Sequence, residues 1–95
     1  MSKEQNNEIL LITQEECAEV IQAISKVFRF GIDGVHNGVT NQSHLEEEIG
    51  DLVCMIDLLM ERGIVSVEAV DNAARAKLTK LSKWANIGAT NEQLG

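Results

Sequence analysis

The chain has 95 residues, 44% of them apolar, and a net charge of −7 from 15 acidic and 8 basic side chains. That length allows one domain with a modest core. The acidity argues against a protein that grips DNA or RNA by neutralising phosphates with lysine and arginine. Proline is absent and only Phe28, Phe30 and Trp84 are aromatic. Proline removes a helix donor and clashes with the preceding turn, so the composition predicts an all-α fold with an aliphatic core.

The first helix is predicted from about Glu4 to Phe30. Its apolar residues Ile9, Ile12, Val20, Ala23, Ile24 and Val27 recur at three- and four-residue steps, the helical period. Thr13 followed by Glu16 has the form of a capping box that would begin a new helix there. We favour one continuous helix, because Ile9 to Ile12 belong to the same apolar pattern. A loop of about a dozen residues follows, marked by Gly31, Gly34 and Gly38 among Asp33, Asn37, Asn41, Gln42 and Ser43. It is no calcium hand: counted from Asp33, the third position is Val35 and the twelfth is His44. His36 and His44 have no His or Cys at ligand spacing and read as solvent-facing loop residues.

Ser43 and Glu46 form a further capping box, predicting a second helix to about Arg62 with Leu45, Ile49, Leu52, Val53, Ile56, Leu59 and Met60 on a broad apolar face. Gly63 stops it. Ser66 caps a third helix to about Trp84, with Val67, Val70, Ala74, Leu78 and Leu81 inward. The whole of 1–95 reads as one helical domain ending in a polar, loose tail at 86–95. Three helices with wide apolar faces make a thin core, which a second copy could complete as a four-helix-type bundle. A homodimer or a dimer of dimers is therefore expected.

Cys17 and Cys54 show no CxxC spacing and read as reduced thiols packed as small hydrophobes. No stretch resembles a signal peptide. The longest apolar segment, Leu52 to Met60, is interrupted by Asp57 and cannot span a bilayer. The expectation is a cytoplasmic protein with no membrane and no nucleic-acid partner.

The chemistry is carried by carboxylates. Glu15, Glu16 and Glu19 lie midway along the first helix, and Glu48 and Asp51 lie early in the second. Within each segment a pair three residues apart, Glu16/Glu19 and Glu48/Asp51, projects from nearly one side of its helix. Like charges at a core edge are unfavourable unless a cation lies between them. If the two helices pack antiparallel, the pairs converge. Four carboxylates without histidine suit a hard cation, Mg²⁺ with Mn²⁺ as substitute, and not zinc. A di-iron bundle would want Glu-x-x-His, which neither segment has. Magnesium held by a few carboxylates keeps positions for substrate phosphates. The simpler reading of Glu46 to Glu48 is complementation of a helix N-terminus. It leaves Glu16 and Glu19 unexplained.

Glu15-Glu16-x-x-Glu19, a spacer of 28 residues, then Glu48-x-x-Asp51 resembles the signature of the all-α nucleoside triphosphate pyrophosphohydrolases. That superfamily includes MazG, dimeric dUTPases, dCTP pyrophosphatases and phosphoribosyl-ATP pyrophosphohydrolase. The likeness covers about Ile9 to Trp84, and compact MazG-like proteins, viral ones among them, look most similar. The resemblance implies that Glu16, Glu19, Glu48 and Asp51 ligate Mg²⁺. It also implies hydrolysis between the α- and β-phosphates of a (deoxy)nucleoside triphosphate, giving a monophosphate and pyrophosphate. Glu15 or Glu19 would accept the proton from water. Asn72, Lys77 and Lys80 of the third helix would reach phosphates or sugar, with surface solvation of the lysines as the alternative; Lys26 and Arg29 are weaker candidates. Phe28, Phe30 and Trp84 are candidates for a base pocket, packing against the aliphatic core being the simpler reading. The Tyr- and Asn-rich third-helix pattern of dimeric dUTPases is not evident, which argues against strict dUTP specificity, and the third-helix ending of the histidine-biosynthesis enzyme is not recognisable. Any additional pocket-closing helix must come from a partner or be missing. The rival reading is a non-catalytic helical dimerisation or nucleotide-sensing module that retains the acidic motif.

Overall fold

The structure is a computed structural model and describes residues 2–87. Three helices dominate: α1 (Lys3–Phe30), α2 (Asn41–Glu61) and α3 (Val67–Trp84), with a two-stranded antiparallel ribbon, β1 (Val35–His36) and β2 (Val39–Thr40), between the first two. The chain falls into two compact units divided between Ile64 and Val65. The first holds α1, the ribbon and α2; the second holds α3. The predicted tail at 86–95 lies outside the described residues from 88 onward.

The continuous first helix is as expected. Ser2 caps it, accepting from the Gln5 backbone at 3.0 Å while the Gln5 side chain reaches back to the Ser2 N–H. Thr13 does not restart the helix: its hydroxyl donates to the Ile9 carbonyl at 2.7 Å, the back-bond that a mid-helix threonine makes. At 28 residues α1 is about 42 Å long. It ends at Gly31, whose φ of 88° and N–H bond to the Val27 carbonyl close the last turn.

The connection differs from a plain loop. Asn37 and Gly38 both have positive φ, 52° and 78°, and pair His36 with Val39 across a two-residue turn. Asn-Gly is the favoured sequence for this type I′ hairpin, whose twist matches that of its strands. The ribbon is fastened to the end of α1 by Asn41, only 5% exposed, whose Nδ2 donates to the Gly31 carbonyl and whose backbone N–H donates to the Gly34 carbonyl, both at 2.8 Å. Gly34 must lack a side chain: a Cβ there would lie 2.6 Å from the Phe30 carbonyl oxygen and 2.9 Å from Asn41 Nδ2.

The start of α2 corrects the capping-box expectation. Thr40, leaving β2 in an extended conformation, is the N-cap and accepts from the Ser43 backbone N–H at 3.1 Å. Ser43 is thus already inside the helix, and His44 is a half-buried helical residue, not a loop residue.

Ile9 and Ala23 of α1 and Met55 and Leu59 of α2 are buried and form the core where the two helices pack. Ile12, Val20 and Val27, with Leu45, Leu52, Ile56 and Met60, are half-buried around them. Ile24, Ile49 and Val53, expected inward, are exposed. Cys17 and Cys54 are exposed free thiols and not core residues as expected. Phe28, Phe30 and Trp84 are 85%, 63% and 84% exposed, which overturns their reading as packing residues. In the second unit, Ser66 caps α3 by accepting from the Ala69 N–H at 3.2 Å. Val70, Leu78 and Leu81 are half-buried, while Val67 and Ala74 are exposed. Among the described residues no helix is long and apolar enough to cross a membrane.

Candidate metal centre

The short connection returns α2 along α1, so residues midway along α1 face residues in the first half of α2. One carboxylate oxygen from each of Glu16, Glu48 and Asp51 lies within 4.8 Å of the other two. Glu48 and Asp51 are three residues apart and share a side of α2; Glu16 meets them from α1. Glu19, one turn after Glu16, is exposed and falls outside this group, as does the exposed Glu15.

The electrostatics of the cluster are unfavourable as it stands. Burial, followed by the negative charges of Asp51, Glu48, Glu19 and Glu15, pushes the Glu16 carboxyl above the ordinary carboxylate range. Glu48 is largely covered, with 12% of its side chain exposed, and its Oε1 lies 3.3 Å from His44 Nε2. Helix-terminus complementation does not account for the acids on α2. That helix begins at Asn41 and has no acidic residue in its first turn, so Glu48 and Asp51 lie two turns or more inside it, beyond the reach of the dipole. Three converging carboxylates, one covered and one resisting ionisation, are an all-oxygen donor set that fits a hard divalent cation.

Lys26 is half-buried on α1 and lines a cavity of about 210 Å³ with His36, Val39, Asn41, His44 and Glu47. A second cavity, of about 390 Å³, shares Lys26, His36 and Asn41 with it and is lined further by Phe30, Gly34 and Val35. Arg29 lies with its guanidinium carbon 5.0 Å from the centre of the Phe30 ring, a cation–π contact. Asn72, Lys77 and Lys80 are exposed on α3, in the second unit. Sequence reasoning missed His44 as a neighbour of Glu48, although the i, i+4 spacing of the two is visible once the helix is started at Asn41.

Searches of curated proteins and of solved structures returned no match. A family model for the MazG nucleotide pyrophosphohydrolase domain matches residues 4–85. With that match running through all three helices, and with Glu16, Glu48 and Asp51 gathered inside it, the chain belongs to the MazG nucleotide pyrophosphohydrolase domain family.

Proposed function

We propose that the protein is a Mg²⁺-dependent nucleoside triphosphate pyrophosphohydrolase that cleaves between the α- and β-phosphates of a (deoxy)nucleoside triphosphate, releasing the monophosphate and pyrophosphate. The observation that carries this reading is the convergence of Glu16, Glu48 and Asp51 on one point between two helices. Mg²⁺ or Mn²⁺ bound there would supply charge neutralisation to the phosphate oxygens.

The chain's own residues have distinct tasks in this reading. Glu16, Glu48 and Asp51 hold the cation; Glu19, one turn along α1 from Glu16, joins them by a change of side-chain rotamer or accepts the proton of the attacking water. Glu15 is the other proton acceptor. His44 steadies the Glu48 carboxylate through the 3.3 Å contact, as a neighbour that orients a ligand. Lys26 on α1 contributes a substrate contact, and Asn72, Lys77 and Lys80 are the candidates that α3 offers for phosphate or sugar. Ile24 on α1 with Ile49 and Val53 on α2 stay exposed, which supports a homodimer or dimer of dimers that closes this apolar surface.

The test is incubation with Mg²⁺ and a panel of triphosphates, scored separately for pyrophosphate and orthophosphate. Pyrophosphate with stoichiometric monophosphate is expected, and EDTA should abolish it. Orthophosphate as the product would overturn the bond assignment. Binding without any turnover would favour a nucleotide-sensing module.

A further inference from the structure

The cavity at the hairpin end of α1 and α2 is not needed to hold a cation, yet it adjoins the carboxylate cluster. His44 lines the cavity and its Nε2 touches Glu48. His44 precedes Glu48 by four residues, about 6 Å of helix rise, and Glu47 adjoins Glu48 in sequence, so the cavity and the carboxylate cluster are neighbours on α2. Its volume of about 210 Å³ falls below the roughly 300–1,000 Å³ of sites that enclose drug-sized ligands. It suits one ring system, not a whole nucleotide. Val39 gives it an apolar wall, and a neighbouring cavity that shares Lys26, His36 and Asn41 has Phe30 and Val35 in its lining. A polyphosphate tail would be repelled by Glu47 there; a base would not.

Resting on the pyrophosphohydrolase reading, we infer that this cavity seats the nucleobase and that Lys26 and Glu47 select guanine. The two side chains line one small cavity with opposite charges but form no ion pair with each other; among the described residues the only contact of a basic with an acidic side chain within 4.0 Å is His44–Glu48. An unpaired cation and an unpaired anion in the same cavity match a ring that offers acceptors on one edge and donors on another. Guanine presents O6 and N7 as acceptors, which lysine recognises, and an N2 amino group as donor. Its N1–H beside that amino group lets both oxygens of Glu47 accept. Adenine puts its N6 donor next to N7, so it would place an N–H against the Lys26 ammonium. Cytosine offers Glu47 a single amino group and has no second donor beside it.

The test is titration calorimetry of the full chain in Mg²⁺ with guanosine, adenosine, cytidine and uridine monophosphates, alongside pyrophosphate release from the four triphosphates. Guanosine monophosphate should bind at least about tenfold more tightly than the others, the scale of one hydrogen bond to a charged group. Glu47→Ala and Lys26→Met should each bring the guanine-to-adenine ratio close to one. Base-blind binding, no binding at millimolar ligand, preference for another base, or a guanine preference that survives both substitutions would overturn the inference. The hydrolase reading fails separately. Guanine-selective monophosphate binding with no pyrophosphate from any triphosphate removes the hydrolase and keeps the base seat. Turnover accompanied by base-blind binding does the reverse.

Discussion

Replacing Asp51 with asparagine separates stability from function in a way that a merely structural cluster would not. The substitution keeps the shape of the side chain and removes one of three charges whose oxygens lie within 4.8 Å of one another. Asp51 is the charged neighbour that most raises the Glu16 carboxyl after burial itself. For the Glu48–Asp51 pair alone, two charges at that distance repel by about 0.9 kcal/mol at the dielectric of water; Asp51 is exposed, so the solvent value is the appropriate one. In EDTA, Asp51→Asn should therefore raise the melting temperature by several degrees, since roughly 1 kcal/mol moves a domain of this size by about 4–8 °C. In Mg²⁺ the order should invert. The parent protein gains stability by mass action, about 2.7 kcal/mol at a hundredfold excess over Kd, and the variant gains far less. Differential scanning fluorimetry with EDTA and with graded Mg²⁺ reads both effects in one plate. A variant that is less stable in EDTA, or that keeps the full Mg²⁺ response, would refute the reasoning.

Three further outcomes are expected. Gly34→Ala should destabilise the protein by about 1–3 kcal/mol, the usual cost of forcing atoms into a filled space, because its Cβ would press on the Phe30 carbonyl and on Asn41; urea denaturation measures it, and an unchanged midpoint would mean the hairpin is not seated as described. The raised Glu16 carboxyl sets a pH dependence whose sign follows from linkage. A carboxyl that holds its proton more tightly folded than unfolded opposes folding once ionised, and this cost is relieved as pH falls through the raised value. Metal binding requires the ionised form, so the melting shift produced by Mg²⁺ should be smaller at pH 5 than at pH 7.5, and a pH-independent shift would contradict the placement of Glu16. Asn41→Ala removes the bond to the Gly31 carbonyl and should cost on the order of 1 kcal/mol by thermal melting, while Gln42→Ala, at an exposed side chain, should cost almost nothing.

Much of the architecture was legible because it depends on local period and composition. The apolar steps from Ile9 to Val27 and the lack of proline specify a long first helix. Gly63 and Ser66 bracket the break before α3. The ends that were misplaced involve choices between competing local signals. Ser43 with Glu46 has the form of a capping box, but Thr40 wins because β2 delivers it in the extended conformation that an N-cap needs. The hairpin could have been read from Asn37-Gly38; it was masked by neighbouring glycines that gave the segment the look of a formless loop. At the candidate site, the convergence of Glu16 with Glu48 and Asp51 was foreseeable from spacing plus an antiparallel return. The outlying position of Glu19 was not, because sequence spacing fixes a helix face but not a rotamer. Likewise, Lys26 could be nominated from sequence, whereas its cavity with His36 and Glu47 depends on how the hairpin folds back over the end of α1.

The most direct measurement is Mn²⁺ titration followed by electron paramagnetic resonance, comparing the unaltered chain with Glu48→Gln, since free and bound Mn²⁺ are distinguished without any need for turnover. At least one tightly held Mn²⁺ per chain, displaced by Mg²⁺ and lost together with pyrophosphate release in the variant, is the predicted result. Equal Mn²⁺ binding by both proteins would show that Glu16, Glu48 and Asp51 do not form the cation site.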